Sequence, residues 1–257
     1  MMRRFWFPLF CATGLLGAAA QCLPASAQPV TRIKARLVSI DGAVLTLTPL
    51  SPADKVLAAR AGTAGTGDNV TVSVTPDTRY VGAEKSDFSA IKIGDYIGAA
   101  VTQQRGQWLR AQIVYLYAEA LRGSGEGRFA EGDRLLINGA VSAVKPTAPQ
   151  DTSDGTVSVH YHGAGLTNAV KGQPPLCEGR ATPAPFASPL ACEADATIEV
   201  LPGTPVEALT IGDQALLTPG AVVTVAMMKM ADGKIVTPGV IVEKPVTTEK
   251  PVTAEKP

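Results

Sequence analysis

Hydrophobic and polar residues alternate with a period of two along most of this chain. The runs VTVSV (Val70, Val72, Val74), TVSVHY (Val157, Val159, Tyr161) and AVLTLT (Leu45, Leu47) send every second side chain to one face. That is the pattern of strands with one side on a core. Turn signals punctuate the runs. Asp41-Gly42 separates KARLVSI from AVLTLT, Asp154-Gly155 precedes TVSVHY, and Asp232-Gly233 separates VTVAMMKM from KIVTPGVIV. Asp-Gly between alternating segments predicts a tight hairpin, because such turns need positive φ. A long helix has no place in this pattern. The best helical segment is SPADKVLAARAG, residues 51–62, which stops at Gly62. The chain is therefore predicted to be all-β, made of small sandwiches or barrels.

The pattern repeats. Residues 70–117 laid on 196–243, a constant offset of 126, give eight identities in 48 positions, among them Val74/Val200, Pro76/Pro202, Gly94/Gly220 and Val114/Val240. Apolar positions coincide as well, with Val72 on Ile198, Ile97 on Val223 and Leu109 on Ile235. Upstream, the Asp41-Gly42 and Asp154-Gly155 turns are expected to correspond. Two homologous β-modules follow, residues 31–118 and 134–243, each expected to close its own core.

Between them lies a Gly-rich segment, residues 119–133, that contains GSGEG. A strand pattern precedes it and another follows, so no helix N-terminus backs the glycines to hold a phosphate. The spacing also fails both common nucleotide-loop patterns, and Glu126 would repel an anion. The segment reads as a shaped connector in which Glu119, Arg122, Glu126 and Arg128 form ion pairs that set the angle between modules. The alternative is a ligand or partner site in the inter-module cleft, formed by Glu119, Arg122, Gly123, Gly125, Glu126, Gly127 and Arg128.

The two ends read differently from the body. Residues 1–27 have a basic start (Arg3, Arg4), an apolar stretch and the small-residue pattern Ala25-Ser26-Ala27 of a signal peptidase site. A mature chain beginning at Gln28 is expected, directed to the periplasm or outside the cell. No later run approaches the about 20 apolar residues of a spanning helix. With Arg3 and Arg4 gone, the 23 basic residues fall two short of the 23 acidic ones, and no case for nucleic acid remains. Of four cysteines, Cys177 and Cys192 stay. In an oxidising compartment they read as one disulfide that staples a proline-rich loop insertion, residues 171–193. Residues 244–257 repeat charge, Pro and Thr, and are expected to be disordered.

The run AEALRGSGEG, with IKIGDYIG, PGTPV and the LTPGAVV and DGKIV segments, resembles a family of exported bacterial proteins made of two small β-barrel domains of unknown function. Relatives often carry an automatic label of metal ABC transporter permease. The resemblance implies two tandem OB-like barrels and supplies no catalytic residues. This chain has Ala118 where a Pro is usual before the Glu, and it carries the cysteine insertion.

Chemistry-bearing residues are few. The two histidines, His160 and His162, project from one strand face about 7 Å apart by strand rise, a two-ligand start for Zn or Cu, or else an ordinary surface pair. Carboxylates such as Asp151 and Asp154 are placed in nearby loops. Met227, Met228 and Met230 suit either core packing or a soft copper site. Trp108, Tyr96, Tyr115 and Tyr117 suit either a binding face or core packing. No GxSxG elbow is present, a thiol nucleophile would compete with the disulfide, and no carboxylates stand at a selective spacing. The expectation is a non-catalytic binding or scaffold protein of the cell envelope, without a cofactor, whose partner is an envelope protein or a small ligand. The alternative is a periplasmic Zn/Cu-binding protein associated with metal transport.

Overall fold

Local chemistry sets the elements before any long-range pairing does. The computed structural model describes residues 30–63, 65, 67–103, 109–131, 134–148, 151–167, 174–182 and 189–244. The expected signal segment, Trp108 and the tail beyond Lys244 lie outside the described residues. Helix α1 (Pro52–Ala61) starts where the Ser51 hydroxyl accepts from the Asp54 N–H and ends where Gly62 turns left-handed, at φ 82°. The C-terminal end matches the Gly62 stop read from the sequence.

The strands follow in chain order: β1 (Thr31–Asp41), β2 (Val44–Pro49), β3 (Val70–Ser86), β4 (Tyr96–Gln103), β5 (Leu109–Tyr117), β6 (Gly127–Glu131) and β7 (Arg134–Ala148). Then come β8 (Asp151–Gly163), β9 (Gly165–Leu166), β10 (Cys177–Arg180), β11 (Cys192–Val200), β12 (Val206–Gly212), β13 (Val222–Lys229) and β14 (Ile235–Glu243). The fold is all-β, as the alternation predicts. Leu45 and Leu47 on β2, and Val157, Val159 and Tyr161 on β8, are buried. The turns before β2 and β14 form where Asp41-Gly42 and Asp232-Gly233 predict them. Asp154-Gly155 does not turn. It lies inside β8, with Pro146 opposite Gly155, and a Cβ there would stand 2.3 Å from the Lys145 carbonyl oxygen. Glycine serves close backbone approach at that point, which a sequence cannot distinguish from a turn.

Two five-stranded rings result. The first closes in the order β1-β2-β3-β14-β13 and back to β1, with β3 and β14 parallel and every other pair antiparallel. The second closes in the order β7-β8-β11-β5-β4 and back to β7, again with one parallel pair, β11 and β5. The duplication is visible in the bounds, since β13 and β14 begin and end 126 positions after β4 and β5.

The expected partition into modules 31–118 and 134–243, each with its own core, does not hold. The first ring takes β1, β2 and β3 from the first copy and β13 and β14 from the second. The second ring takes β7, β8 and β11 from the second copy and β4 and β5 from the first. The cores follow the rings. Leu45, Leu47 and Val72 pack with Val223, Val225 and Val240, whereas Ile97 and Val114 pack with Ile137, Val157 and Ile198. The physical cause lies at the crossing. The far half of β3 runs straight on to Ser86 and pairs antiparallel with β12, with Ala83 opposite Leu209, its own equivalent 126 positions later. That pair marks a pseudo-two-fold axis through which each copy sends its last two strands to the other ring.

Residues 119–133 are likewise not a joint between two cores. Glu119–Leu121 form one turn of 3-10 helix, and β6 then hairpins onto β7 and pairs with β10. The strands before and after the glycines, β5 and β6, both belong to the second ring's sheet. Among the described residues, the ion pair that ties this segment to the first ring is Glu131 with Arg32. Within the insertion, Cys177 and Cys192 form the expected disulfide.

Candidate metal centre

The alternation that buries Val157, Val159 and Tyr161 turns His160 and His162 outward on one face of β8, their ring centroids 5.5 Å apart. On the neighbouring strand, Asp195 stands directly opposite His160 and Glu193 directly opposite His162. Both carboxylates share the imidazole face, because facing residues of an antiparallel pair project to the same side. Nε2 of His160 lies 3.8 Å, and Nε2 of His162 3.9 Å, from Glu193 Oε2. One ligand atom from each of the three lies within 4.8 Å of the others. A tetrahedral zinc set with bonds of about 2.0–2.2 Å spaces its ligand atoms about 3.3–3.6 Å apart. Closing the set therefore needs shifts of a few tenths of an ångström to about 1 Å by exposed side chains.

The remaining ring nitrogens are also paired. Nδ1 of His160 lies 3.3 Å from Asp195 Oδ1, and Nδ1 of His162 lies 2.6 Å from Glu126 Oε1. A carboxylate on Nδ1 holds the proton there and leaves the Nε2 lone pair free, which is how metal-binding imidazoles are oriented. Glu126 comes from GSGEG, and the glycines explain how it gets there. Gly123, Gly125 and Gly127 all have positive φ, the Asn138 side-chain amide donates to the Gly125 carbonyl at 2.7 Å, and a Cβ on Gly127 would stand 2.2 Å from the Gly179 carbonyl oxygen. The turn is thus folded tightly against β7 and β10. Glu126 also accepts from the His162 backbone N–H at 3.2 Å.

The sequence-level candidates scatter over three places. Glu126 joins His160 and His162. Glu119 and Arg122 pair with each other at 2.7 Å on the surface, and Arg122 donates to the Gly94 carbonyl and covers the Tyr96 ring. Arg128 turns inward, beside Tyr161 and Cys177. No cleft between modules gathers the seven residues, because β5 lies in the second ring and β6 pairs onto that ring's β7. Asp154 is engaged by Thr147 at 2.7 Å, and Asp151 and Asp154 are both strand residues rather than loop residues. Glu193 and Asp195 were not singled out, although the alternation in CEADATIEV puts them on one face. Tyr96, Tyr115 and Tyr117 form no open binding face. Tyr96 stacks edge-on against Tyr117 at 5.6 Å, and Tyr115 packs at the ring junction, where burial and then Glu207 push its phenol up to about 12. Met227 is core, as packing requires.

Among the described residues no helix is long and apolar enough to cross a membrane. Comparison with family models, curated proteins and solved structures finds no match for this chain.

Proposed function

We propose that this chain is a non-catalytic binding protein of the cell envelope, exported through its N-terminal signal segment, and that its ligand is a divalent transition-metal ion such as Zn(II) or Cu(II). The observation that carries the reading is the convergence of both Nε2 atoms on the Glu193 carboxylate, with a second carboxylate on each Nδ1. Two neutral imidazoles and one carboxylate suit zinc or copper over the harder calcium and magnesium ions. Three protein ligands on an open face leave a fourth position to solvent or to a partner's ligand, which suits a carrier or sensor better than a closed structural site. The strand order of each ring, 1-2-3-5-4 with the third and fifth parallel, agrees with the OB-like barrels implied by the family resemblance. In such barrels ligands are held on a strand face and its flanking loops.

Calorimetric titration of the chelator-stripped mature chain with zinc and with copper tests the proposal. One ion per chain is expected. His160→Ala/His162→Ala abolishes saturable binding, and Glu193→Gln weakens it. Glu126→Gln, which touches no metal, weakens it about tenfold by freeing the His162 ring. His160, His162 and Glu193 lie towards the surface, so stability stays near wild type in their variants. Glu126, half-buried and accepting from the His162 backbone N–H, costs about 1 kcal/mol when changed to Gln. Unchanged stoichiometry and affinity in the double variant would sink the reading.

A further inference from the structure

A second site, separate in chemistry from the imidazole face, lies where β11 diverges from β5. Only Ile198 and Glu199 of β11 pair with β5. Beside that short contact is a cleft of about 350 Å³, walled by Leu109, Leu176, Ala194 and Ala196 and floored by Tyr161 and Arg128. Arg128 is the unusual member. Its side chain is only 9% exposed, and its Nε is buried with no hydrogen-bond partner. The nearest carboxylate oxygen, Glu178 Oε1, is 3.7 Å from that Nε, beyond hydrogen-bond range. A buried guanidinium with an unused donor loses solvation without replacing it, so it is held at a cost unless an acceptor arrives from outside. The Tyr161 hydroxyl donates to the Cys177 carbonyl at 3.0 Å and offers its oxygen to the Arg128 guanidinium, while Nε stays unpaired.

We infer that this cleft binds a small organic monocarboxylate, its carboxylate on Arg128 and its apolar body against Leu109, Leu176, Ala194 and Ala196. Guanidinium groups take carboxylates in two-pronged fashion, and the lining is mixed, with Leu109, Leu176, Ala194 and Ala196 offering apolar contact beside Asp195 and Thr197. The volume lies at the small end of ligand pockets, which favours a short acyl or amino-acid-sized body over a peptide. Charge selects further. Glu178 and Asp195 stand beside the cleft and repel any anion, so a monocarboxylate meets about half the repulsion that a phosphate dianion does.

The test titrates the full mature chain with hexanoate, hexanamide and hexyl phosphate, with chelator present and again in the His160→Ala/His162→Ala background, following backbone amide shifts by NMR. Hexanoate is expected to saturate with shifts at β5, β10 and β11, and hexanamide and hexyl phosphate are each expected to bind about tenfold or more weakly. Arg128→Gln brings hexanoate down to the hexanamide level. Glu178→Gln removes the competing carboxylate and raises hexanoate affinity several-fold. This opposite-signed variant keeps the inference testable if Arg128→Gln fails to fold. Equal binding of hexanoate and hexanamide overturns it, as does unchanged hexanoate affinity in Glu178→Gln or the absence of saturation below about 10 mM. Tighter binding of the phosphate rejects the monocarboxylate in favour of a phosphate ligand.

Discussion

Where the second ring has His160 and Asp195, the first ring has Thr48 and Asn69. The correspondence follows from register. Leu45 faces Val72 in one ring as Val157 faces Ile198 in the other, and three residues onward along each strand lead to these four positions. Thr48 donates to Asn69 Oδ1 at 2.7 Å, so the first ring spends the position on a neutral hydrogen bond. Two residues further, Leu50 and Gly67 stand where His162 and Glu193 stand. Gly67 has φ 65°, a conformation that a glutamate adopts only with strain of about 1–2 kcal/mol. The underlying difference is strand length: β3 starts at Val70, whereas β11 starts at Cys192, the equivalent of residue 66. The proposed metal ligands thus sit on the part of the second ring that outgrows its duplicate.

The rings differ also in continuity, and the largest predicted effect breaks the comparison there. All five strands of the second ring lie between Tyr96 and Val200, while the first is assembled from both ends of the chain. A chain ending at Gly212 loses Val223, Val225, Met227, Val240 and Val242, each at most 3% exposed. At about 1.5–3 kcal/mol per side chain, that is roughly 10 kcal/mol, comparable with the stability of a whole domain. Hydrogen exchange is expected to show β1 and β2 unprotected, β7 and β8 still protected, and zinc binding retained. Protection of β1 and β2 with loss of β7 and β8 means instead that β4 and β5 swing back to their own copy, and the crossed assignment falls.

A smaller effect sharpens the contrast within the second ring. The disulfide closes a separation of 15 residues, worth about 3 kcal/mol on chain entropy. Cys192 pairs with Gly163 at the very start of β11, one residue before Glu193. Cys177→Ala/Cys192→Ala therefore lowers stability in denaturant titration and also weakens zinc binding, although neither cysteine is a ligand. Unaltered zinc affinity in the unbridged chain would show that the register of β11 is held by backbone pairing alone.

How far the sequence reaches can be judged residue by residue. Period two reported the strands and the outward histidines, because which face a side chain occupies is a local property. The Gly62 stop reported the end of the helix for the same reason. Partner choice was not local. Ile97 and Val223, or Val114 and Val240, are so alike that either copy's last strands satisfy either core, and only the straight run of β3 through Ala83 decides. Glu193 and Asp195 were missed because their meeting with the histidines depends on which strand lies beside β8. The 119–133 segment misled because glycines with positive φ serve a tight turn as readily as a hinge. Here the turn delivers Glu126 to His162.

The smallest predicted effect lies at the pseudo-two-fold axis, where the two copies meet as near equals. Val81 faces Ile211 on one side, and their equivalents Glu207 and Lys85 face each other on the other. Burial, and then the Glu243 carboxylate, raise Glu207 above its ordinary value, with Lys34 opposing. A carboxyl raised on folding binds its proton more readily in the native state. Its contribution is therefore most favourable at pH below the ordinary carboxylate range, and it declines as pH rises through the raised value. Glu207→Gln removes the charge but keeps the shape, so the variant matches wild type in acid and exceeds it near neutrality. The gain is modest, roughly 1–2 °C in Tm, because the site is only half-buried. Calorimetry of both proteins across pH 4 to 7 reads the difference directly. A variant less stable than wild type at neutral pH would mean that Lys34 and Lys85 together outweigh the burial of the charge, and that the polar half of the junction holds the rings together as firmly as the apolar half.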